Sequence, residues 1–397
     1  MPDQIYHRAS VFDMAADPGS VLDGRPRVER LPFLPPSEFD VPPIYVGNPD
    51  LKRDGIVLQQ ELADPGASRL TRHGDTPAFL LRNAMVHGKY GVITLGDRVL
   101  EETLYHFPMH HVSGAAWEND NKLRLPELPL SMTAHSAYHL LACNLDNYFH
   151  WLIDLAARFN ASLYEAMRCD VETSEVPLLL LPTLDTSWKK ESIDLALPSS
   201  IPRISLTADA RVCVQRLLYV PDLSGAGFNP HPALLDVFDT IRARVFGAEQ
   251  AQRPWRKLYI HREDSGNRLL INEAQVRERA GAAGFTPVSL SKLSVPHQVR
   301  LFAEASHILA AHGAGVTNIC FCQPGAVLCE LQMDSYVHWS MRLLAALRGV
   351  HYGCIVGETV GERQRWVHSN VWRLDIAALD AVLTDPRFGA VNSLGDR

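Results

Sequence analysis

Three short stretches carry the side chains best suited to chemistry. The first, NYFHWLID at residues 147–154, holds His150 and Asp154 four positions apart. On a helix that spacing puts both on one face and within reach of each other. A carboxylate that holds an imidazole fixes its tautomer and raises its basicity, which makes a general base near neutral pH. A packed core histidine with a satisfied hydrogen bond fits the same spacing, so both readings stand. The second stretch, YIHREDSGNR, sets Arg262 and Arg268 close together after the apolar KLYI. Two guanidinium groups on one loop can grip a diphosphate; arginines paired in solvent with Glu263 and Asp264 are the ordinary alternative. In the third, HILAAHGAGVTN, an apolar run leads into His312, Gly313, Ala314 and Gly315 and then Asn318. Small residues at a strand-to-helix turn let an anion approach backbone N–H groups. The following run AVLCE brings Glu330 to a strand's carboxyl end, where it can accept hydrogen bonds from ribose hydroxyls or stand as a surface carboxylate. Arginines, a GAG turn and a carboxylate on three neighbouring loops together read as a nucleotide site.

The elements that must position these groups follow from periodicity and turn residues. Beyond about residue 256, strands KLYIHR, FTPVSL, HILAA, AVLCELQ and HYGCIV alternate with helical patterns over 272–283, 295–305 and 337–347. Asn272 is the expected cap and Gly284 the stop of the first of these helices. Such alternation predicts a parallel sheet covered on both faces, with ligands beyond the carboxyl ends of the strands. Upstream, residues 78–103 alternate between glycine turns and predict a small β-meander. Residues 148–167 have helical spacing and predict one long, largely buried helix. VPLLLLP predicts a buried strand, 185–197 a helix, RLLYVP a strand and 231–246 a helix. Five prolines within LPFLPPSEFDVPP predict an irregular start without a helix. The polar, Pro-bearing GAEQAQRPW is the expected domain boundary. The expected division is an irregular proline-rich arm over 1–75, an amino-terminal domain over 76–247 and a Rossmann-like domain over 248–397.

Composition narrows the functional classes. The chain has 397 residues, 46% apolar and 21% charged, with 38 Lys plus Arg against 45 Asp plus Glu, a net charge of −7. That length suits two domains. The charge balance, with no extended basic run, argues against nucleic-acid binding. The first twenty residues lack the pattern of a secretory signal and no run reaches the length of a membrane span, so a cytoplasmic protein, soluble or peripheral at a membrane, is expected. Seven scattered cysteines (143, 169, 213, 320, 322, 329, 354) are expected to be reduced thiols, mostly buried. No metal is expected: His110, His111, His135 and His139 form no HExxH or helical HxxxH with a third ligand. NAD is disfavoured because Asn318 stands where a third glycine is needed and the turn follows the domain's third strand. A serine hydrolase is disfavoured because GxSxG is absent.

NYFHWLID, YIHRED with NRLLINEAQV, and the run GFTPVSLSKLSVPHQVRLFAEASHILAAHGAGVTNICFCQPGAVLCELQ together resemble glycosyltransferase family 61, over about residues 80–385. The resemblance implies a GT-B fold of two facing Rossmann-like domains with an interdomain cleft that closes in the reaction. It implies metal-independent, inverting transfer from a nucleotide sugar, with no cofactor. By matching position, Arg262, the Gly313-Ala314-Gly315 turn, Asn318 and Glu330 fall on the donor side, with Arg268 and His312 beside them. His150 and Asp154 match the helix on the acceptor side. His261 and Cys322-Gln323 depart from the family pattern and leave nucleobase and sugar open. The implied partners are a nucleotide-sugar donor and a glycan or lipid-linked glycan acceptor, as in bacterial-style surface or capsular polysaccharide assembly at the inner membrane face. Two alternatives stay open: a non-catalytic nucleotide-sugar or carbohydrate binding protein with a degenerate cleft, and another nucleotide-sugar enzyme such as an epimerase.

Overall fold

The computed structural model describes residues 4–17, 21–22, 24–47, 69–104, 114–119, 121–142, 144–169, 175–224, 228–248, 253–263 and 265–389. His110, His111, Cys143 and Asp264 lie outside them. The protein is mixed α/β and divides into two compact units: Met1–Ser37 with His73–Gly227, and Glu38–Arg72 with Phe228–Arg397.

The first unit is built on an eleven-stranded mixed sheet. Its strands are β1 (Gln4–Ala9), β2 (Val28–Leu34), β3 (Thr76–His87), β4 (Val92–Leu95), β5 (Arg98–Leu100), β6 (Ala116–Asn119), β7 (Lys122–Leu125), β8 (Met132–His139), β9 (Leu178–Pro182), β10 (Arg203–Leu206) and β11 (Arg211–Tyr219). The order is β6-β7-β1-β5-β4-β3-β11-β8-β9-β10, with β2 pairing β3. The expected meander is present as β3, β4 and β5, each antiparallel to the next, and it continues into the larger sheet. Phe79, Leu81, Val86, Ile93, Val212, Val214 and Leu217 pack into one core cluster. Each such side chain contributes roughly 1.5–3 kcal/mol on burial.

The parallel part of this sheet is β11-β8-β9-β10. The chain moves from β8 through β9 to β10 on one side and takes up β11 on the other, so β8 and β11 flank a switch in winding direction. The first unit is therefore only partly the Rossmann-like domain expected, since its other strands include a long antiparallel extension.

Two amino-terminal expectations are corrected. Residues within 1–75 are not an irregular arm: β1 pairs parallel with β5 and antiparallel with β7, and β2 pairs antiparallel with β3. The β2–β3 register shifts between Leu31 and Leu34, which is where Pro32 would interrupt a regular ladder; a bulge is how a strand tolerates proline. Ahead of the prolines, Val11–Ala16 is a short helix whose cap, Ser10, accepts from Phe12 N.

The expected long helix over 148–167 is also broken. An α-turn at Tyr148–His150 passes into a π-helical turn at Trp151–Leu155 and a 3-10 turn at Ala156–Arg158 before a new helix, Ala161–Cys169. Buried Tyr138 supplies the reason: its hydroxyl donates to Arg158 O at 2.6 Å and accepts from Asn160 N at 3.2 Å. This withdraws both backbone groups from a helical ladder, while Asn160 Oδ1 accepts from Leu163 N and starts the next helix.

The second unit carries β12 (Arg256–Ile260), β13 (Thr286–Val288), β14 (Ala305–Ala311), β15 (Val327–Met333), β16 (His351–Thr359) and β17 (Trp372–Arg373). Their order is β13-β12-β14-β15-β16-β17, and Tyr45–Val46 also pairs with β16 in this seven-stranded sheet. The first five are mutually parallel. Chain order 2-1-3-4-5 is doubly wound, with its switch point between β12 and β14. Leu309, Ala311, Leu331 and Ile355 share a core with Val276, Ala280 and Leu379 of the helices Glu273–Ala282 and Ile376–Thr384. β15 is buried at every residue, as a parallel strand covered on both faces should be.

The units part at Gly227/Phe228 rather than at GAEQAQRPW. The helix Leu235–Phe246 belongs to the second unit because Phe238 packs on Phe321, Asp239 pairs with Arg348 at 2.7 Å, and Val245 O accepts from Arg300. Asn272 does not cap its helix by side chain; it instead bonds both the N–H and the carbonyl of Leu374.

Candidate active site

In the second unit, β12 and β14 deliver their following loops to the switch crevice. After β12, Arg262 Nη2 donates to Ser265 Oγ at 2.9 Å, and the same turn is closed by Ser265 N on Arg262 O. Glu263 does not take the neighbouring arginine: it is engaged by Arg277 and lies 3.6 Å from His261 Nδ1. The Arg262 guanidinium lies against Gly313, after β14. A Cβ built there would collide with Arg262 Nη1 and stand 2.9 Å from Cζ. Gly313 is extended (φ 175), so its role is close approach rather than backbone freedom. Gly315 likewise admits Leu290, whose Cδ1 would stand 2.7 Å from an added Cβ. Ala314 opens the 3-10 helix Ala314–Phe321.

Arg268 joins this corner through its backbone. Its N–H donates to His368 O at 2.8 Å, its carbonyl accepts from Trp372 Nε1 at 2.9 Å, and its φ is 54. A non-glycine residue in that region costs free energy and persists only where its surroundings hold it. The guanidinium lies 5.0 Å from the Tyr336 ring centroid, an arrangement favourable for a cation. Tyr336 in turn contacts His312 and His368, and His368 contacts Trp366. Burial lowers the pKa of Arg268. Burial, with Arg268, Arg262 and His312 nearby, lowers that of His368. The corner thus gathers cations and aromatic rings.

Glu330 is placed differently from its expected ribose-binding role. It is fully buried, with His312 Nδ1 at 2.6 Å on Oε1, and Tyr352 OH and Gln332 Nε2 donating to Oε2. Its oxygens face inward because β15 is central and covered, so it acts on the corner by holding the His312 ring. Asn318 is also fully buried and donates to Gln298 Oε1 at 2.7 Å, and Gln298 donates to Leu290 O and Leu293 O. That chain ties the 3-10 helix to the loop after β13, and Asn318 shapes the turn instead of facing a ligand.

In the first unit, the helix after β8 brings His150 and Asp154 together, Nδ1 to Oδ2 at 2.5 Å. The pairing survives the break in the expected helix because it spans the α-to-π junction; such π-turns recur at functional sites. Asp154 is buried, and its Oδ1 lies 3.3 Å from Ser224 Oγ. Ser224 meets Asp222 twice, N to Oδ1 at 2.9 Å and Oγ to Oδ2 at 2.7 Å. Asp222 and Ser224 follow β11, so this cluster sits at the switch between β8 and β11. Asp154 and Asp222 line a pocket together with Tyr90, Glu102, Arg158 and Tyr219. The outer edge of Asp222 meets solvent, yet protein atoms crowd its carboxyl; this desolvation, with the charge of Asp154, raises its pKa.

His135 and His139 lie on β8 and are occupied otherwise, His135 with Gln215 and His139 with Gly91 O. Among the described residues, no group of three or more His, Cys, Asp and Glu is placed to hold a metal ion. The six described cysteines are free thiols, four of them buried. No helix of the described residues is long and apolar enough to cross a membrane.

Comparison with protein families matches residues 148–329 to Glycosyltransferase 61. The resemblance read from the sequence is borne out there. The segment opens two residues before His150, spans Arg262 to Asn318, and stops one residue short of Glu330. Among curated proteins, a beta-1,2-xylosyltransferase of Oryza sativa subsp. japonica, XAX1, is 35% identical over 99 residues, covering 25% of this chain and 17% of the relative. A beta-1,2-xylosyltransferase of Arabidopsis thaliana is 29% identical over 117 residues, covering 24% of this chain and 22% of the relative. The chain thus spans about a fifth of the length of these relatives.

Several residues of these two corners escaped the sequence reading. Asp222 and Ser224 follow a strand just as Arg262 does, and the strand-end rule applied to PDLS would have found them. Tyr336 and His338, whose ring lies 6.0 Å from that of His312, follow β15 in the same way. Trp366 and His368 had no such signal, because tertiary pairing with the Arg268 backbone brings them in.

Proposed function

We propose that the protein is an inverting glycosyltransferase that moves a sugar from a nucleoside-diphosphate donor to a hydroxyl of a glycan, without a metal. The observation that carries the donor half is the Arg262 guanidinium seated over Gly313 at the switch point of a doubly wound sheet. When the sugar–phosphate bond breaks, charge grows on the departing phosphate. Donors aimed at such charge are worth on the order of 3 kcal/mol each. Arg262, Arg268 and the His312 ring held by Glu330 are the side chains assigned to it, with the backbone N–H groups of the turn.

The His150–Asp154 pair supports the acceptor half. Asp154 orients the ring through Nδ1, so Nε2 takes the proton of the attacking hydroxyl as it displaces the phosphate, a contribution of roughly 10²- to 10⁴-fold. One-step displacement inverts the anomeric carbon. The fold that belongs to this reading is that of a GT-B enzyme. The names of the two plant relatives make xylose the first donor sugar to test, with free and lipid-linked glycans as acceptors; the latter address surface-polysaccharide assembly at a cytoplasmic membrane face.

The test is release of nucleoside diphosphate from a panel of nucleotide sugars, with and without acceptor, in EDTA. Acceptor-dependent release with inverted product supports the reading. Binding without release favours a non-catalytic binding protein, and donor conversion without acceptor favours an epimerase-type reaction.

A further inference from the structure

The chain of contacts behind His150 poses a proton-counting problem. Ser224 Oγ lies between two carboxylates, 2.7 Å from Asp222 Oδ2 and 3.3 Å from Asp154 Oδ1. A serine hydroxyl has one hydrogen. If both carboxylates are ionised, Ser224 can donate to only one, and the shorter contact is to Asp222. Asp154 then faces the hydroxyl's lone pairs and relies more on His150, 2.5 Å from its other oxygen. If Asp222 carries a proton, it can donate to Ser224 Oγ, and the serine hydrogen turns to Asp154. The two arrangements differ by one proton at the end of the chain opposite His150, where Asp222 meets solvent at its edge, while Asp154 and Ser224 between them are buried.

We infer that Asp222 is a positioning residue for His150, selecting through the single hydroxyl hydrogen of Ser224 how tightly Asp154 holds the imidazole. With Asp222 protonated, Asp154 shares its charge with Ser224 and holds His150 less tightly. With Asp222 ionised, Asp154 turns to His150, a second negative charge stands behind it, and the ring becomes more basic. The other groups facing this chain are Arg158, whose charge works against that of the two acids, and Glu102, Tyr90 and Tyr219 across the pocket. Arg158 is itself tied to backbone carbonyls, those of Val220 and Leu141, so it is a fixed part of the setting. Asp222 has the raised pKa that such a titrating group requires.

This inference rests on His150 as base, but its test reads the imidazole directly. The pKa of His150 is measured by nitrogen-15 NMR in the wild type, Asp222→Asn, Asp222→Glu and Ser224→Ala. Asp222→Asn should lower it by roughly 0.5 of a pH unit through loss of the distal charge, and Asp222→Glu should restore it. Ser224→Ala should raise it, because it removes the arrangement in which the serine donates to Asp154 and leaves that carboxylate to His150 whether or not Asp222 carries a proton. A His150 pKa unmoved by Asp222→Asn and by Ser224→Ala overturns the inference; should Asp222→Asn fail to fold, Ser224→Ala decides alone. A coupled pKa together with full transfer activity in His150→Ala would condemn the base reading and leave the coupling standing.

Discussion

The two units use one architectural device for opposite electrostatic ends. Each gathers functional side chains just beyond parallel strands that flank a switch in winding, β8 and β11 in the first and β12 and β14 in the second. In the first unit the segments after those strands supply acids behind one histidine, Asp154 and Asp222. In the second they supply cations, Arg262, Arg268 and His312, which meet the rings of Tyr336 after β15 and of His368 ahead of β17. The sheet thus sets where side chains can gather, and the segments beyond it decide whether the cluster is acidic or cationic.

The sharpest way to break that division of labour is to disable one corner and measure the job assigned to the other. His150→Ala should lower the transfer rate by roughly 10²- to 10⁴-fold while nucleoside diphosphate binds as before; loss of nucleotide affinity would merge the two roles. Arg262→Ala should lower the rate by roughly 10²- to 10³-fold, by analogy with removing a donor to developing charge. Gly313→Ala should imitate it with little loss of stability, since the new Cβ displaces the guanidinium rather than backbone. A Gly313→Ala protein with wild-type turnover would remove that contact from the account.

Smaller effects sharpen the comparison. Glu330→Leu should cost about 3 kcal/mol in a urea titration, because His312, Tyr352 and Gln332 lose a shared buried acceptor. Unchanged stability would mean that the pair is not the anchor of its corner. The smallest effect is a pH dependence in the first unit. Burial pushes His87 down to about 4 and His139 down to about 3 from 6.5. The unfolded chain then binds more protons than the native one below pH 6.5, so stability is full above that value and falls on acidification toward pH 4. The raised pKa of Asp222 works in the opposite sense over part of this window. His87→Gln should flatten the decline in the urea midpoint; an unaltered slope would place the acid sensitivity elsewhere.

The doubly wound unit was largely legible because its strands are covered on both faces, so their apolar runs and glycine stops appear directly in the text. His150 with Asp154, and Arg262 with Gly313, were legible as spacing and strand-end position. What local pattern could not show came from tertiary contacts. Tyr138 breaks the helix after His150, the bulge near Pro32 lets a proline-rich segment pair with β3, and covered β15 turns Glu330 inward to His312. Asn318 misled because residue type at a turn says nothing of which way its side chain points.

The most direct measurement is a calorimetric titration of nucleoside diphosphates into the wild type, Arg262→Ala and His150→Ala, with EDTA throughout. The account predicts that one nucleotide class binds the wild type and His150→Ala alike and loses most of its affinity for Arg262→Ala. Equal binding to all three would contradict it, because the anion would then be held somewhere other than the Arg262–Gly313 corner.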